Sequence, residues 1–453
     1  MRKIIMSLVP RDASEKGSRT LRYRWLIFAV LLAAYFLVYF HRVAPAVVAE
    51  DIVDAVGGSM ALVASVYFYA YLLMQLPSGA LVDRLGPHKI TFTFLALAAV
   101  GTFIVSFADT FAMVLLGKVM IACGMAFVYI PLTKILAVWF RRKDFATLNG
   151  SVIAVGNVAA IAAGAPFAFL ISSFGWREVF LVLGIITLIL AFLCLLIVRN
   201  RPSDIGSEDI LTLYPEDRQA SETSEKVPFF DGLRAVIASG RAFWMPGLSY
   251  FFVYGSIMVF QGLWAAKYFD NVYDFIYAGA WMVTMIGAGK VISAAMAGTI
   301  AKKVGSKRIV MLMGNIGYLA IWAIIWSFAG GIDSFWFWMS VNFLFGLFSG
   351  FMVLSFAQAK EWFPTSISGT VIAMVNIMIF SGAAVWQTVS GFVIYDSKNA
   401  TLGQFSTVWL IMMVLVIAAC ICSYLSIDNN TGDVKKVIRA QPDKDMSQEH
   451  PGR

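Results

Sequence analysis

The chain has 453 residues, 60% of them hydrophobic and only 14% charged, with a net charge of +8 and a mean hydropathy of +0.77. So little polar surface cannot cover a water-soluble globule of this length, so the composition excludes a soluble domain and calls for a bilayer. The basic excess does not point to nucleic acid either: 28 of the 35 Lys and Arg fall in the termini or in loops after even-numbered apolar runs, three (Arg177, Lys267, Lys398) in the opposite loops and four within runs, an asymmetry that places both termini in the cytoplasm.

A helix needs about 20 mostly apolar residues to cross the hydrocarbon. Twelve such runs are legible, at 24–46, 60–81, 90–107, 111–139, 149–174, 179–198, 245–266, 277–300, 309–329, 335–359, 366–395 and 405–426. The first follows a basic stretch without a small-residue cleavage site and exceeds a signal-peptide core, which predicts an uncleaved helix. The expected organisation is a cytoplasmic N-terminus (1–23), a six-helix half (24–200), a cytoplasmic linker (201–244), a second six-helix half (245–426) and a cytoplasmic tail (427–453). The linker is rich in Asp, Glu, Ser and Pro, as flexible connectors are. Its last part, from Phe229 to Ala238, predicts either a short amphipathic helix on the inner face or a solvated lead-in. The polar tail with Lys435 and Lys436 predicts disorder. All four cysteines (Cys123, Cys194, Cys420, Cys422) sit in apolar runs, without metal-ligand spacing, and read as packing residues.

The halves are related. Gly79-Ala-Leu-Val-Asp83-Arg84-Leu-Gly86-Pro-His-Lys89 recurs 219 residues later as Gly298-Thr-Ile-Ala-Lys302-Lys303-Val-Gly305-Ser-Lys307-Arg308, and the stretch 149–157 recurs at 368–376. Two anchors at one spacing argue for duplication, so the fold class expected is an all-α membrane protein with twelve transmembrane helices in two pseudo-symmetric six-helix halves. The first copy resembles the loop motif between the second and third helices of the major facilitator superfamily, carried by Gly79, Asp83, Arg84, Gly86 and Lys89. Leu116-Gly117-Lys118 with Gly124, Gly175-Trp176-Arg177 with Phe180, and Glu361-Trp362-Phe363-Pro364 are similar to further motifs of that superfamily. The resemblance implies a conformational latch at Asp83, Arg84 and Lys89 on the cytoplasmic side. Glycines there let helices approach, and an acid can pair with basic residues or a helix dipole in one state. The second copy has Lys302 in place of Asp83, which implies a weaker latch.

An ionisable residue deep in a span costs at least ~2.5 kcal/mol on insertion scales. Four occur, Arg42, Lys118, Lys134 and Lys290, and no Asp or Glu lies near the middle of a run. An anionic substrate is the simplest missing partner. Arg42, in Tyr39-Phe40-His41-Arg42, resembles the first-helix Arg of the organophosphate exchangers and organic-anion symporters, which implies contact with a carboxylate or phosphate; guanidinium suits such groups by its bidentate geometry. Its alternative is snorkelling to the outer headgroups. Lys290 lies eight residues before Gly298, roughly 12 Å from the inner end by helix rise, and its repeat mate is Tyr71. Lys134 is a candidate substrate ligand within reach of inner headgroups, and Lys118 reads equally as scaffold or pathway. Asn157 and Asn376 are repeat-related mid-span amides, either helix glue or substrate contacts. Tyr35, Tyr39, Tyr71, Tyr129, Gln75, Gln261 and Gln358 are candidate cavity hydrogen-bonders. His41 is the candidate for proton coupling, since histidine titrates near neutral pH.

These residues predict alternating-access transport of a small organic anion (a carboxylate, sugar acid or phosphorylated metabolite) across a bacterial inner membrane. Rivals are a nitrate-type inorganic anion carrier, a drug or metabolite exporter and a transporter-like sugar-phosphate receptor. The expected partners are the anion, the lipid bilayer and a coupling proton or counter-anion, with no nucleic acid, cofactor or metal, in a monomer. No nucleophile constellation, metal cluster or nucleotide-binding loop is legible, so no enzymatic activity is expected.

Overall fold

The structure is a computed structural model that describes residues 15–214, 229–273, 278–363 and 367–428. The expectations for residues 1–14, for most of the linker and for the tail from 429 fall outside the described residues, as does the side chain of Asp83. Regular structure among the described residues is helical. The first half holds α1 (Glu15–Val43), α2 (Pro45–Val56), α3 (Met60–Leu85), α4 (Pro87–Ser106), α5 (Phe111–Met125), α6 (Tyr129–Trp139), α7 (Arg142–Ala162), α8 (Ala165–Phe174) and α9 (Trp176–Ile197). After α10 (Phe229–Ala238), the second half holds α11 (Arg241–Val259), α12 (Ala265–Tyr273), α13 (Ala278–Val304), α14 (Lys307–Ser327), α15 (Phe335–Ser349), α16 (Val353–Glu361), α17 (Ser368–Val393) and α18 (Leu402–Leu425). Among the described residues, eleven helices are long and apolar enough to cross a membrane, twelve with the bent pair Pro45–Val56 and Met60–Gln75 counted as one. The chain is thus an all-α membrane protein in two pseudo-symmetric six-helix halves, and the stretch before the seventh span is helical, with Gly232 close against Ile367 and Thr370 near the start of α17.

Local chemistry explains where helices start, stop and break. Hydroxyl side chains of Ser59, Thr110, Ser306, Ser334 and Thr401 accept from first-turn amides, satisfying donors that a helix N-terminus leaves free. The fourth and tenth spans lose α-helical geometry at matching places, Ala126–Val128 between α5 and α6 and the 3-10 turn Gly350–Met352 between α15 and α16. The seventh span passes through a π turn at Phe260–Trp264, the kind of insertion that re-aims side chains and often marks functional sites. Glycines allow close helix approach where they meet backbone: a Cβ on Gly346 would lie 2.0 Å from the Ile286 carbonyl oxygen and one on Gly289 2.2 Å from that of Phe343. Small residues at such crossings are how spans pack in lipid.

The halves touch mainly at one end, the outer end by the charge asymmetry. There Lys267 pairs with Glu50 and Lys398 Nζ lies 2.9 Å from Asp54. Tyr69 and Thr388 share a hydrogen bond of 3.1 Å, the Ala165 amide donates to the Thr284 hydroxyl at 2.9 Å, and a Cβ on Gly391 would lie 2.3 Å from that of Ala61. Lys267, expected as an ordinary outer-loop charge, is instead buried in this contact. Toward the inner end, Cβ atoms added at Gly79, Gly150 and Gly298 would meet nothing within 4 Å among the described residues. Among the described residues, the polar contacts between the halves thus gather at one end.

The duplicated loops make a test of the fold. Gly86 and Gly305 are repeat mates with φ of 81° and 76°, a left-handed conformation that costs a side chain roughly 1–2 kcal/mol. Only Gly86 also faces a neighbour, Asn200, whose side chain would lie 2.7 Å from an added Cβ and which accepts the His88 amide at 3.0 Å. Gly86→Ala is expected to lower the melting temperature in detergent clearly more than Gly305→Ala; equal shifts would show that the Asn200 contact contributes nothing.

Candidate functional site

Arg42 ends α1 between the two halves. It is 4% exposed, and its guanidinium carbon lies 4.6 Å from the ring centroid of Tyr39, 4.7 Å from that of Tyr71 and 4.7 Å from that of Phe380. The first two rings belong to the first half and Phe380 to α17 of the second. Tyr67, and Tyr254 from the second half, also interact with the charge. Its Nε is buried without a hydrogen-bond partner, and none of the ion pairs found among the described residues involves it. Ring faces attract a guanidinium by about 0.5–2 kcal/mol each, which holds the group without neutralising it. The tyrosines continue inward: Tyr35 lies 5.4 Å from Tyr39 and 5.6 Å from Tyr129, whose hydroxyl donates to Asn149 at 3.2 Å.

Lys290 is buried on α13, 7% exposed, with Nζ donating to the Gln261 side-chain oxygen at 3.3 Å. Gln261 sits in the π turn and donates its own amide to the Val283 carbonyl. Its neighbour Gly262 approaches the first half, since a Cβ there would lie 3.8 Å from the Arg42 carbonyl oxygen. The π turn thus reaches both cations, touching Lys290 through a side chain and the Arg42 backbone through a glycine.

The sequence candidates are not all gathered here. Arg42, Tyr39 and Tyr71 come together. Asn376 lies one helical turn before Phe380 on the same face of α17, and Asn157 one turn before Ile161 on α7, so both amides are on faces turned to the opposite half; Ile161 packs on Gly287 of α13. Lys134 lies elsewhere, donating at 3.2 Å to the Val82 carbonyl near the inner end of α3. Gln358 bonds Ser426 and the Ile427 carbonyl in the second half. His41 faces into its own half, fully buried near Phe180, with neither ring nitrogen hydrogen-bonded among the described residues. Lys118 is fully buried in the same half, its Nζ 5.5 Å from the Phe180 ring. Of the latch residues, Arg84 and Lys89 are exposed and Gly86 packs on Asn200. Phe380 and Tyr254 had no sequence signal of their own, being aromatics in apolar runs.

With that geometry in hand, comparison with known proteins places the chain. The Major Facilitator Superfamily model matches residues 31–279 and 275–444, and the chain belongs to that superfamily. It is 25% identical over 288 residues (60% of this chain, 65% of the other) to the uncharacterized transporter YybO of Bacillus subtilis. It is 26% identical over 281 residues (59% of each) to the probable galactarate/D-glucarate transporter GarP of Escherichia coli K12. These matches span less than two thirds of either relative. A solved bacterial homologue of the human lysosomal transporter Spinster, in an inward-facing and occupied conformation, shares the fold at a TM-score of 0.65 and 16% identity, over 89% of this chain and 96% of that one.

The contact between Arg42 and Phe380 predicts energetic coupling. In a double-mutant cycle of Arg42→Gln and Phe380→Leu, denaturation in detergent is expected to show a coupling of about 0.5–2 kcal/mol; strict additivity would remove Phe380 from the site.

Proposed function

We propose that the chain is a secondary transporter that moves a small organic anion, of the carboxylate, sugar-acid or phosphorylated-metabolite class, across a bacterial inner membrane by alternating access. The observation that carries this is Arg42: a cation buried between the halves, held by ring faces from both, with no carboxylate paired to it among the described residues. A buried, uncompensated charge is costly to keep, and an arriving carboxylate or phosphate relieves that cost while forming charge-assisted hydrogen bonds. The relative named as a probable galactarate/D-glucarate transporter supports the sugar-acid end of this range.

In this reading both termini lie in the cytoplasm, and the contacts that join the halves at Glu50 and Asp54 support an inward-facing state. Residues 24–200 then rock against 245–426, and the ion pairs at Glu50 and Asp54 open as the inner ends come together. Exchange or facilitated movement is the form of transport this reading favours, with a coupling proton at His41 as its alternative.

Uptake of labelled sugar acids, other carboxylates and phosphate esters into proteoliposomes is the test. The wild type is expected to accumulate one of these classes, Arg42→Gln to lose it by at least about tenfold, and Arg42→Lys to recover part of it. Transport of lipophilic cations unaffected by Arg42→Gln would instead identify an exporter.

A further inference from the structure

The repeat that builds the two halves also pairs the residues of the site, and it pairs them crosswise. Gln261 stands 219 residues after Arg42, the spacing that separates Lys290 from Tyr71 and Phe380 from Ile161. In the first half the cation is on the first-span position (Arg42) and its neutral neighbour on the second-span position (Tyr71). In the second half the neutral residue is on the seventh-span position (Gln261) and the cation on the eighth (Lys290), again in contact. The surroundings correspond as well: Phe380 packs on Tyr71 at 4.4 Å and on Phe68 at 6.4 Å, while its repeat mate Ile161 packs on Gly287, the repeat mate of Phe68.

Each half therefore presents one cation–neutral pair at equivalent places, and the pseudo-twofold axis between parallel repeats sets such places opposite one another around the central path. Both cations are buried and neither is paired with a carboxylate among the described residues. One monovalent anionic group would neutralise one cation and leave the other charged and desolvated. Building on the anion reading of this site, we propose that the substrate is a small dicarboxylate, one carboxylate taken by Arg42 with the Tyr71 hydroxyl and the other by Lys290 with the Gln261 amide. Arg42 offers a planar fork and Lys290 a point charge, so the two ends are read differently and an unsymmetrical chain between the carboxylates has a preferred orientation.

The test is binding to the purified full chain of four- to six-carbon acids, each dicarboxylate measured against the monocarboxylate of equal length, for example D-glucarate against D-gluconate, with phosphate esters alongside. Wild type is expected to bind a dicarboxylate at least about tenfold more tightly than its monocarboxylate. Lys290→Gln should erase that preference by weakening the dicarboxylate alone, Lys290→Arg should keep it, and the relocated pair Gln261→Lys with Lys290→Gln should restore it; a melting curve for each variant identifies any that fail to fold. Equal wild-type affinity for the two members of every pair, or a Lys290→Gln variant that weakens both members alike, would overturn the dicarboxylate and leave a one-headed anion site standing. Binding of no carboxylate or phosphate ester at all would bring down the anion reading itself.

Discussion

The constraint on which the site depends is the burial of a guanidinium between the two halves of the bundle. A carboxylate would hold Arg42 more strongly than any ring, but it would also neutralise it, and the group would then have little to offer a ligand. Aromatic residues compromise differently, since the quadrupoles of their ring faces and their neutral hydroxyls, those of Tyr67, Tyr71 and Tyr254 among them, lower the cost of burial without neutralising the charge. Two of these faces, Tyr39 and Tyr71, travel with Arg42, while Phe380 comes from the opposite half. The charge is thus embedded in its own half and only leans on the other, an arrangement that tolerates relative movement.

Duplication explains the scaffold and departures from it explain the site. Elements that hold the bundle together repeat: the positive-φ glycines Gly86 and Gly305, the capping hydroxyls Thr110 and Ser334, and the breaks after α5 and α15. What handles charge does not repeat: Asp83 becomes Lys302, Arg42 becomes Gln261 and Tyr71 becomes Lys290. Packing needs the same shape twice, whereas an unsymmetrical ligand needs two different surfaces.

Much of this was legible in the sequence, for identifiable physical reasons. Spans announce themselves because lipid demands about 20 apolar residues, and a buried cation in such a run is conspicuous because it is expensive. Arg42 and Lys290 were found that way. The same signal also marked Lys134, whose long side chain reaches the Val82 carbonyl near the end of α3, because depth along a span does not say which way a residue faces. Phe380 was invisible, since an aromatic residue in an apolar span carries no mark of function. The π turn at Phe260–Trp264 has no proline and only Gly262 to announce it. Lys267, counted from the sequence with the outer-side loops, is buried and tied to Glu50; apolar patterning cannot distinguish a solvated charge from a buried, paired one.

Under the proposed transport, the contacts between the halves and the site would belong to one energetic scheme. A ligand shifts an equilibrium only by its differential affinity for the two states. The outer contacts are ion pairs, a hydroxyl hydrogen bond and small-residue packing, of which the exposed Lys398–Asp54 pair contributes modestly, on the scale of about 0–1 kcal/mol. Such a seal holds one conformation without trapping it. The larger lever is the interface itself, where Arg42 already leans on Phe380 and the π turn carries Gln261, the partner of Lys290, past the Arg42 backbone. Under the proposed transport, an anion seated there would contact groups from both halves, so occupancy would favour drawing them together. An empty site keeps its positive charges unneutralised, which disfavours the same closure. Under the same proposal, the charge that selects the ligand would also couple its arrival to movement of the halves.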